Sequence, residues 1–107
     1  MINEICSFLE NKKILILGFG KEGESTYNFL RKYFPHKNIG IADRNKIDST
    51  HLSRVKLHSG RGYEDSIREY DVVIKSPGIV LTQPDKSVLR KITSQSDLFL
   101  KYFSRQI

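Results

Sequence analysis

The sequence predicts an α/β domain: a Rossmann-like, mostly parallel sheet of about five strands with helices on both faces. Two observations carry the prediction. Residues 14–17 (Ile-Leu-Ile-Leu) and 72–74 (Val-Val-Ile) are apolar runs without alternation, the pattern of strands covered on both faces. Each run gives way to a glycine-containing turn, and the first turn opens directly into an amphipathic helix. Strand, turn and helix therefore follow in the order of a parallel β-α unit.

The first strand is expected over 13–18. Beyond the glycines, Thr26, Phe29, Leu30 and Tyr33 recur at helical spacing while Glu24, Asn28, Arg31 and Lys32 fill the other faces, which predicts a helix stopped by Pro35. Residues 38–43 alternate Ile39 and Ile41 and read as a second strand ending on Asp43, with Gly40 as its weak point. Residues 44–54 are polar with scattered Ile47 and Leu52, a loop holding at most a short helix. Lys56 to Ser59 is a brief third strand closed by Gly60 and Gly62. Residues 70–75 form another central strand, broken by Ser76-Pro77-Gly78. Pro84 suits the first turn of a helix whose face carries Val88, Leu89 and Ile92. Residues 97–103 offer a further helix with Leu98 and Tyr102 on one side, and Ile92-Thr93-Ser94 is a short, weak fifth strand.

The 107 residues are room for one domain, residues 1–107, with a single core and no second catalytic domain. Eighteen Lys and Arg against twelve Asp and Glu leave a formal charge of +6, which suits an anionic partner without choosing among nucleotide, phosphate, nucleic acid and acidic membrane. The basic residues are dispersed, with neither a basic helix nor an aromatic RNA-binding signature, so no nucleic-acid partner is expected. Cys6 is the sole cysteine, which excludes an intrachain disulfide and a cysteine-based zinc cluster. No apolar run approaches the roughly 20 residues of a membrane helix, and no secretory signal is visible. A cytoplasmic location without membrane contact is the expectation.

Gly18-Phe19-Gly20-Lys21-Glu22-Gly23 matches G-x-G-x-x-G between the first strand and the helix. In that setting Gly18 permits the tight turn, Gly20 lets a phosphate approach the backbone and Gly23 lets helix and strand pack closely. The helix N-terminus offers unpaired N–H groups to an anion. Asp43 lies twenty residues beyond Gly23, at a strand end, where a carboxylate can hold a ribose or accept the N–H of a pyrimidine base. Ser76, Pro77 and Gly78 should emerge at the same sheet edge and can grip a phosphate or a base edge, with Lys75 adding charge beside them. His36, His51 and His58 lack metal-ligand spacing and are assigned no role. Neither G-x-S-x-G nor G-x-x-x-x-G-K-[ST] is present, so covalent catalysis and a triphosphate loop find no support. These motifs alone fit an NAD-binding regulatory or dehydrogenase domain as well as a uridine-nucleotide site.

Residues 14–26, Asp43 and the run Val72-Val73-Ile74-Lys75-Ser76-Pro77-Gly78-Ile79 together resemble the N-terminal domain of the D-glutamate-adding Mur ligases of bacterial peptidoglycan synthesis. Asp97-Leu98-Phe99-Leu100 is similar to the segment that closes the domain in that family. The resemblance covers almost all of the chain but only the first of the family's three domains, and its Ser-Pro-Gly favours the ligase over the NAD reading. It implies that this domain holds the UDP part of UDP-N-acetylmuramoyl-L-alanine, while a central domain holds ATP and Mg2+ and a third receives D-glutamate. The family reaction forms an acyl phosphate that the amine of D-glutamate attacks to give an amide. The resemblance further implies a phosphate loop just beyond Ile107, and a fragment that holds substrate without turning it over. It assigns this domain no catalytic residue, metal or cofactor. Carried over by motif, the UDP-binding residues are Gly18, Phe19, Gly20, Lys21, Glu22 and Gly23, then Asp43 facing uracil with Arg44 after it, and Ser76, Pro77 and Gly78 closing over the diphosphate. Glu22 departs from the pattern by bringing a carboxylate beside the diphosphate, so it should point away or pair with Lys21.

Overall fold

The computed structural model describes residues 2–82 and 84–103. Its elements in chain order are α1 (Ile2–Leu9), β1 (Ile14–Leu17), α2 (Lys21–Tyr33), β2 (Ile39–Asp43), β3 (Val55–Ser59), a 3-10 helix (Tyr63–Glu69), β4 (Val72–Lys75), α3 (Lys86–Leu89), β5 (Ile92–Thr93) and α4 (Gln95–Phe103). The five strands form one all-parallel sheet in the order β3-β2-β1-β4-β5. The chain thus builds outward from β1 to β3 and then returns to the other side of β1 to add β4. A parallel sheet has its binding crevice at that reversal, outside the carboxyl ends of the strands.

Alternation along the strands divides the core. Ile14, Ile16, Ile39, Ile41, Val72 and Ile74 face α1, α2 and α4, meeting Ile5, Leu9, Tyr27, Leu30 and Leu98. Leu15, Leu17, Ala42 and Val73 face the other way, against Tyr63 and Ile67 of the 3-10 helix, with Val88 of α3 packed alongside. Residues 14–17 are fully buried, which is why both faces of β1 had to be apolar. Each such side chain contributes about 1.5–3 kcal/mol on leaving water.

Some expectations need correction. The helix expected from Pro84 is a single turn capped by Asp85, whose Oδ1 accepts the Val88 N–H at 3.0 Å. Ile92 lies in β5 opposite Val73 rather than on that helix, because the Lys91 carbonyl accepts the Val73 N–H at 2.8 Å and pulls the segment into the sheet. The Tyr63–Glu69 3-10 helix was not expected. Residues 44–54, by contrast, are a loop as expected, without a helix, and Ile47 in it is buried. The side chain of Tyr102 lies outside the described residues.

Gly40, the apparent weak point of β2, has a steric cause. A Cβ there would collide with the Tyr70 ring, which crosses the strand, and the Tyr70 hydroxyl meets Nε2 of His58 at 2.8 Å. Burial lowers the His58 pKa, the Glu69 carboxylate partly opposing, and burial raises that of Tyr70.

Candidate functional site

The turn after β1 is shaped by close contacts. Gly18 has φ +92°, a left-handed conformation that a side chain would strain. A Cβ on Gly18 would lie 2.8 Å from Cγ1 of Ile79 and 3.2 Å from Cβ of Ser76. A Cβ on Gly23 would strike the Gly18 carbonyl oxygen, so the expected close packing of helix and strand is present. Gly20 differs: nothing lies within 4 Å of the place its Cβ would take, and the same holds for Gly78. Neither residue is required to be glycine by the packing around it. Gly20 is the N-cap of α2 and no side chain caps it, so the first N–H groups of the helix lack that partner.

On one flank of β1 the turn is joined to β2. The Gly18 N–H donates to the Ala42 carbonyl at 2.7 Å, and the Phe19 N–H donates to Oδ2 of Asp43 at 2.7 Å. The other oxygen of Asp43 accepts the Asn45 N–H at 2.8 Å. Asp43 therefore clasps the glycine turn to the end of β2, with lone pairs remaining on both oxygens for a further donor. Beside it opens a cleft of about 490 Å³ lined by Phe19, Gly20, Glu24 and Asp43, together with residues 45–48 and His51 of the following loop. On the other flank, Ser76 continues the ladder from β4: its N–H donates to the Leu17 carbonyl at 3.0 Å and its hydroxyl to the Gly18 carbonyl at 3.3 Å. The two predicted loops thus share one sheet edge and touch each other through Gly18.

Not every predicted residue lines the cleft. Phe19, Gly20 and Asp43 do, whereas Lys21 and Arg44 are exposed beside it and Glu22 is half-buried in the first turn of α2, its carbonyl accepting the Thr26 hydroxyl at 3.0 Å. Ser76, Pro77 and Gly78 stand across β1 from the cleft rather than in its wall. Lys75 is half-buried, and its ammonium is turned onto its own loop, where it bonds the carbonyls of Ser76 and Ile79.

Sequence reasoning missed His51. Its Nε2 meets Oε1 of Glu24 at 2.6 Å across the cleft, joining the loop after β2 to α2. The two residues are 27 apart in sequence, without a motif to link them. Asp48, also in the wall, has its pKa lowered chiefly by the N–H and hydroxyl of Thr50. With Glu24, Asp43 and Asp48 against Lys46 and His51, this wall suits a neutral hydrogen-bonding group such as a base or ribose better than a phosphate. The uncapped helix end and the Ser76 loop are the parts suited to an anion.

The family model of the Mur ligase MurD-like N-terminal domain matches residues 12–95, most of the chain. The chain belongs to this family. The UDP-N-acetylmuramoylalanine–D-glutamate ligase of Clostridium tetani is 30% identical over 110 residues, covering 94% of this chain and 24% of the relative. That of Clostridium acetobutylicum is 28% identical over 98% of this chain and 25% of its own length. The Vibrio cholerae ligase of strain O395 is 32% identical over 67% of this chain and 17% of the relative. The chain thus spans about a quarter or less of the curated relatives it matches. No solved structure matches it. As a MurD-like N-terminal domain, the chain shares with its relatives the segment that includes the glycine turn, Asp43 and the Ser76 loop, since all lie within the matched residues. Among the described residues, no helix is long and apolar enough to cross a membrane, and no three His, Cys, Asp or Glu side chains gather as a metal site.

Proposed function

We propose that this domain holds the uridine diphosphate part of UDP-N-acetylmuramoyl-L-alanine for a ligase that adds D-glutamate during peptidoglycan synthesis. The observation that carries the reading is the division of labour at one sheet edge. A cleft with polar, net acidic walls beside Asp43 suits the nucleoside, and the uncapped N-terminus of α2 at Gly20, with the Ser76 loop that meets the same turn through Gly18, suits the diphosphate. Open space at Gly20 and Gly78 leaves room for phosphate oxygens where a side chain would stand. Membership in the MurD-like family supports a uridine nucleotide over the dinucleotides that the glycine turn and an acidic strand end also fit.

In this reading the domain's chemistry is binding and orientation. The backbone N–H groups of Lys21, Glu22 and Gly23 donate to the diphosphate, Asp43 accepts from the base, and Arg44 flanks it. Ser76, Pro77 and Gly78 close the anionic end. On the same reading ATP and Mg2+ belong to the ligase's central domain and D-glutamate to its third, so we propose that this domain contributes binding and not the chemical step. In this reading the domain works in the cytoplasm.

Titration of the chain with UDP, UMP, NAD and AMP, followed by amide NMR shifts and thermal melts, tests the proposal. UDP is expected to move the resonances of Phe19, Gly20, Asp43 and Gly78 and to raise the melting temperature more than the others. Selective stabilisation by NAD would replace this reading with a dinucleotide-binding one.

A further inference from the structure

Lys75 ends β4 opposite Leu17 of β1, half-buried at the sheet edge. Its Nζ donates to the Ser76 carbonyl at 3.1 Å and to the Ile79 carbonyl at 2.7 Å. The Ile79 N–H donates to the same Ser76 carbonyl at 3.1 Å, so the lysine closes a second time a turn that the backbone already closes once. That turn is the wall against which the glycine turn folds. Ser76 bonds the Leu17 and Gly18 carbonyls, and the Ile79 side chain fills the space a Gly18 Cβ would need.

We infer that Lys75 is a positioning residue for anion binding, clamping the Ser76–Ile79 turn and compensating the two carbonyl oxygens it bonds. The inference rests on the uridine diphosphate reading and adds the residue that prepares its anionic half. Carbonyl oxygens at the mouth of a phosphate site repel the ligand, because each carries partial negative charge. An ammonium bonded to both removes that repulsion and leaves a positive charge behind the turn, where half-burial reduces its screening by water. Lys75 acts through the turn, whereas Ser76, Pro77 and Gly78 are the residues that would touch the ligand. A neutral nucleoside seated by Asp43 across β1 should not sense the lysine.

The test titrates the full chain and its Lys75→Met and Lys75→Arg variants with UDP and with uridine, read by amide NMR, after circular dichroism shows that each is folded. Lys75→Met keeps the side-chain length and removes both donors and the charge. It is expected to weaken UDP binding about tenfold, the worth of a charge-assisted hydrogen bond. Uridine binding should change by less than about twofold, within the additivity expected of separated sites. Lys75→Arg, which can still donate to both carbonyls, should recover most of the UDP affinity. Ligand-free spectra should show the Gly18 and Gly78 amides displaced in Lys75→Met and restored in Lys75→Arg.

Undiminished UDP binding by Lys75→Met would overturn the inference and leave the proposed function standing. Equal losses for UDP and uridine would overturn it too, reducing the lysine to a purely structural role. A wild-type chain that responds to neither ligand would overturn the proposed function and the anion role together. Unmoved Gly18 and Gly78 amides in ligand-free Lys75→Met would overturn the clamp itself.

Discussion

The turn after β1 takes its shape from atoms that are missing. Gly18 sits at φ +92° with Ile79 where its Cβ would be, and Gly23 lies against the Gly18 carbonyl. The turn after β4 takes its shape from a group that is added, the Lys75 ammonium bonded to two of its carbonyls at 3.1 and 2.7 Å. Both leave fully paired central strands at the same sheet edge, and they meet at Gly18. The first is fixed by steric exclusion, which has no alternative solution. The second is fixed by hydrogen bonds, which another donor can replace. Within each turn, moreover, one glycine is free of the fold: Gly20 and Gly78 have open space around the missing Cβ. The requirement for glycine there must come from outside the packed chain if it exists at all.

The largest expected effect tests the steric half. Gly23→Ala would drive a methyl group into the Gly18 carbonyl and should destabilise the fold by about 3 kcal/mol or leave it unfolded. A variant with near-wild-type urea midpoint would show that α2 can shift on the strand, contrary to the tight contact at this junction. Gly18→Ala comes next, at about 1–3 kcal/mol from the left-handed φ and the clash with Ile79. The folded variant should also show shifted amide resonances in the Ser76 loop, because the two turns share that contact.

Gly20→Ala sharpens the contrast from the other direction. It should cost no more than about 1 kcal/mol of stability, the difference between glycine and alanine at an N-cap. Its UDP affinity should nevertheless fall about tenfold or more as the new methyl group occupies the diphosphate's place. Unchanged affinity would move the diphosphate away from Gly20.

The smallest effect provides a control away from both turns. Burial lowers the His58 pKa below its ordinary 6.5, so the unfolded chain binds this proton more readily than the folded one. The stabilisation is complete above pH 6.5 and is lost as pH falls from there through the folded-state value. Melting temperatures measured from pH 7.5 to 5 should fall for the wild type and fall less steeply for His58→Gln. Because His58 bonds Tyr70 over Gly40 rather than the crevice, UDP affinity in His58→Gln should stay near wild type.

How legible the fold was depended on the kind of pattern each element leaves. The buried strands β1 and β4 and the amphipathic α2 are written in consecutive residues, and their positions follow the apolar runs closely. The 3-10 helix was not legible: only Tyr63, Ser66 and Ile67 of its seven residues are buried, too few to establish a period. The extent of α3 was misjudged because Val88, Leu89 and Ile92 fit a helical face, although Leu89 is 54% exposed and Ile92 pairs in the sheet. Competition between a helical pattern and a strand at the sheet edge is decided by the partner, here Val73, which no local window contains.

The same distinction runs through the site. The sequence alone determined that a glycine turn links a buried strand to a helix, that an acidic residue ends the next strand, and that Ser-Pro-Gly follows another buried strand. Each of these is a property of neighbours along the chain. The tertiary structure decided that Asp43 clasps Phe19 from 24 residues away, that His51 pairs with Glu24 across the cleft, and that Ser76 lies on Gly18 at a separation of 58. It also decided that Lys75 turns inward to hold its own loop. A side chain's residue type sets which bonds it can make. Which bond it does make depends on what the strand order brings within about 3 Å, and that order is set by burial of the whole sheet.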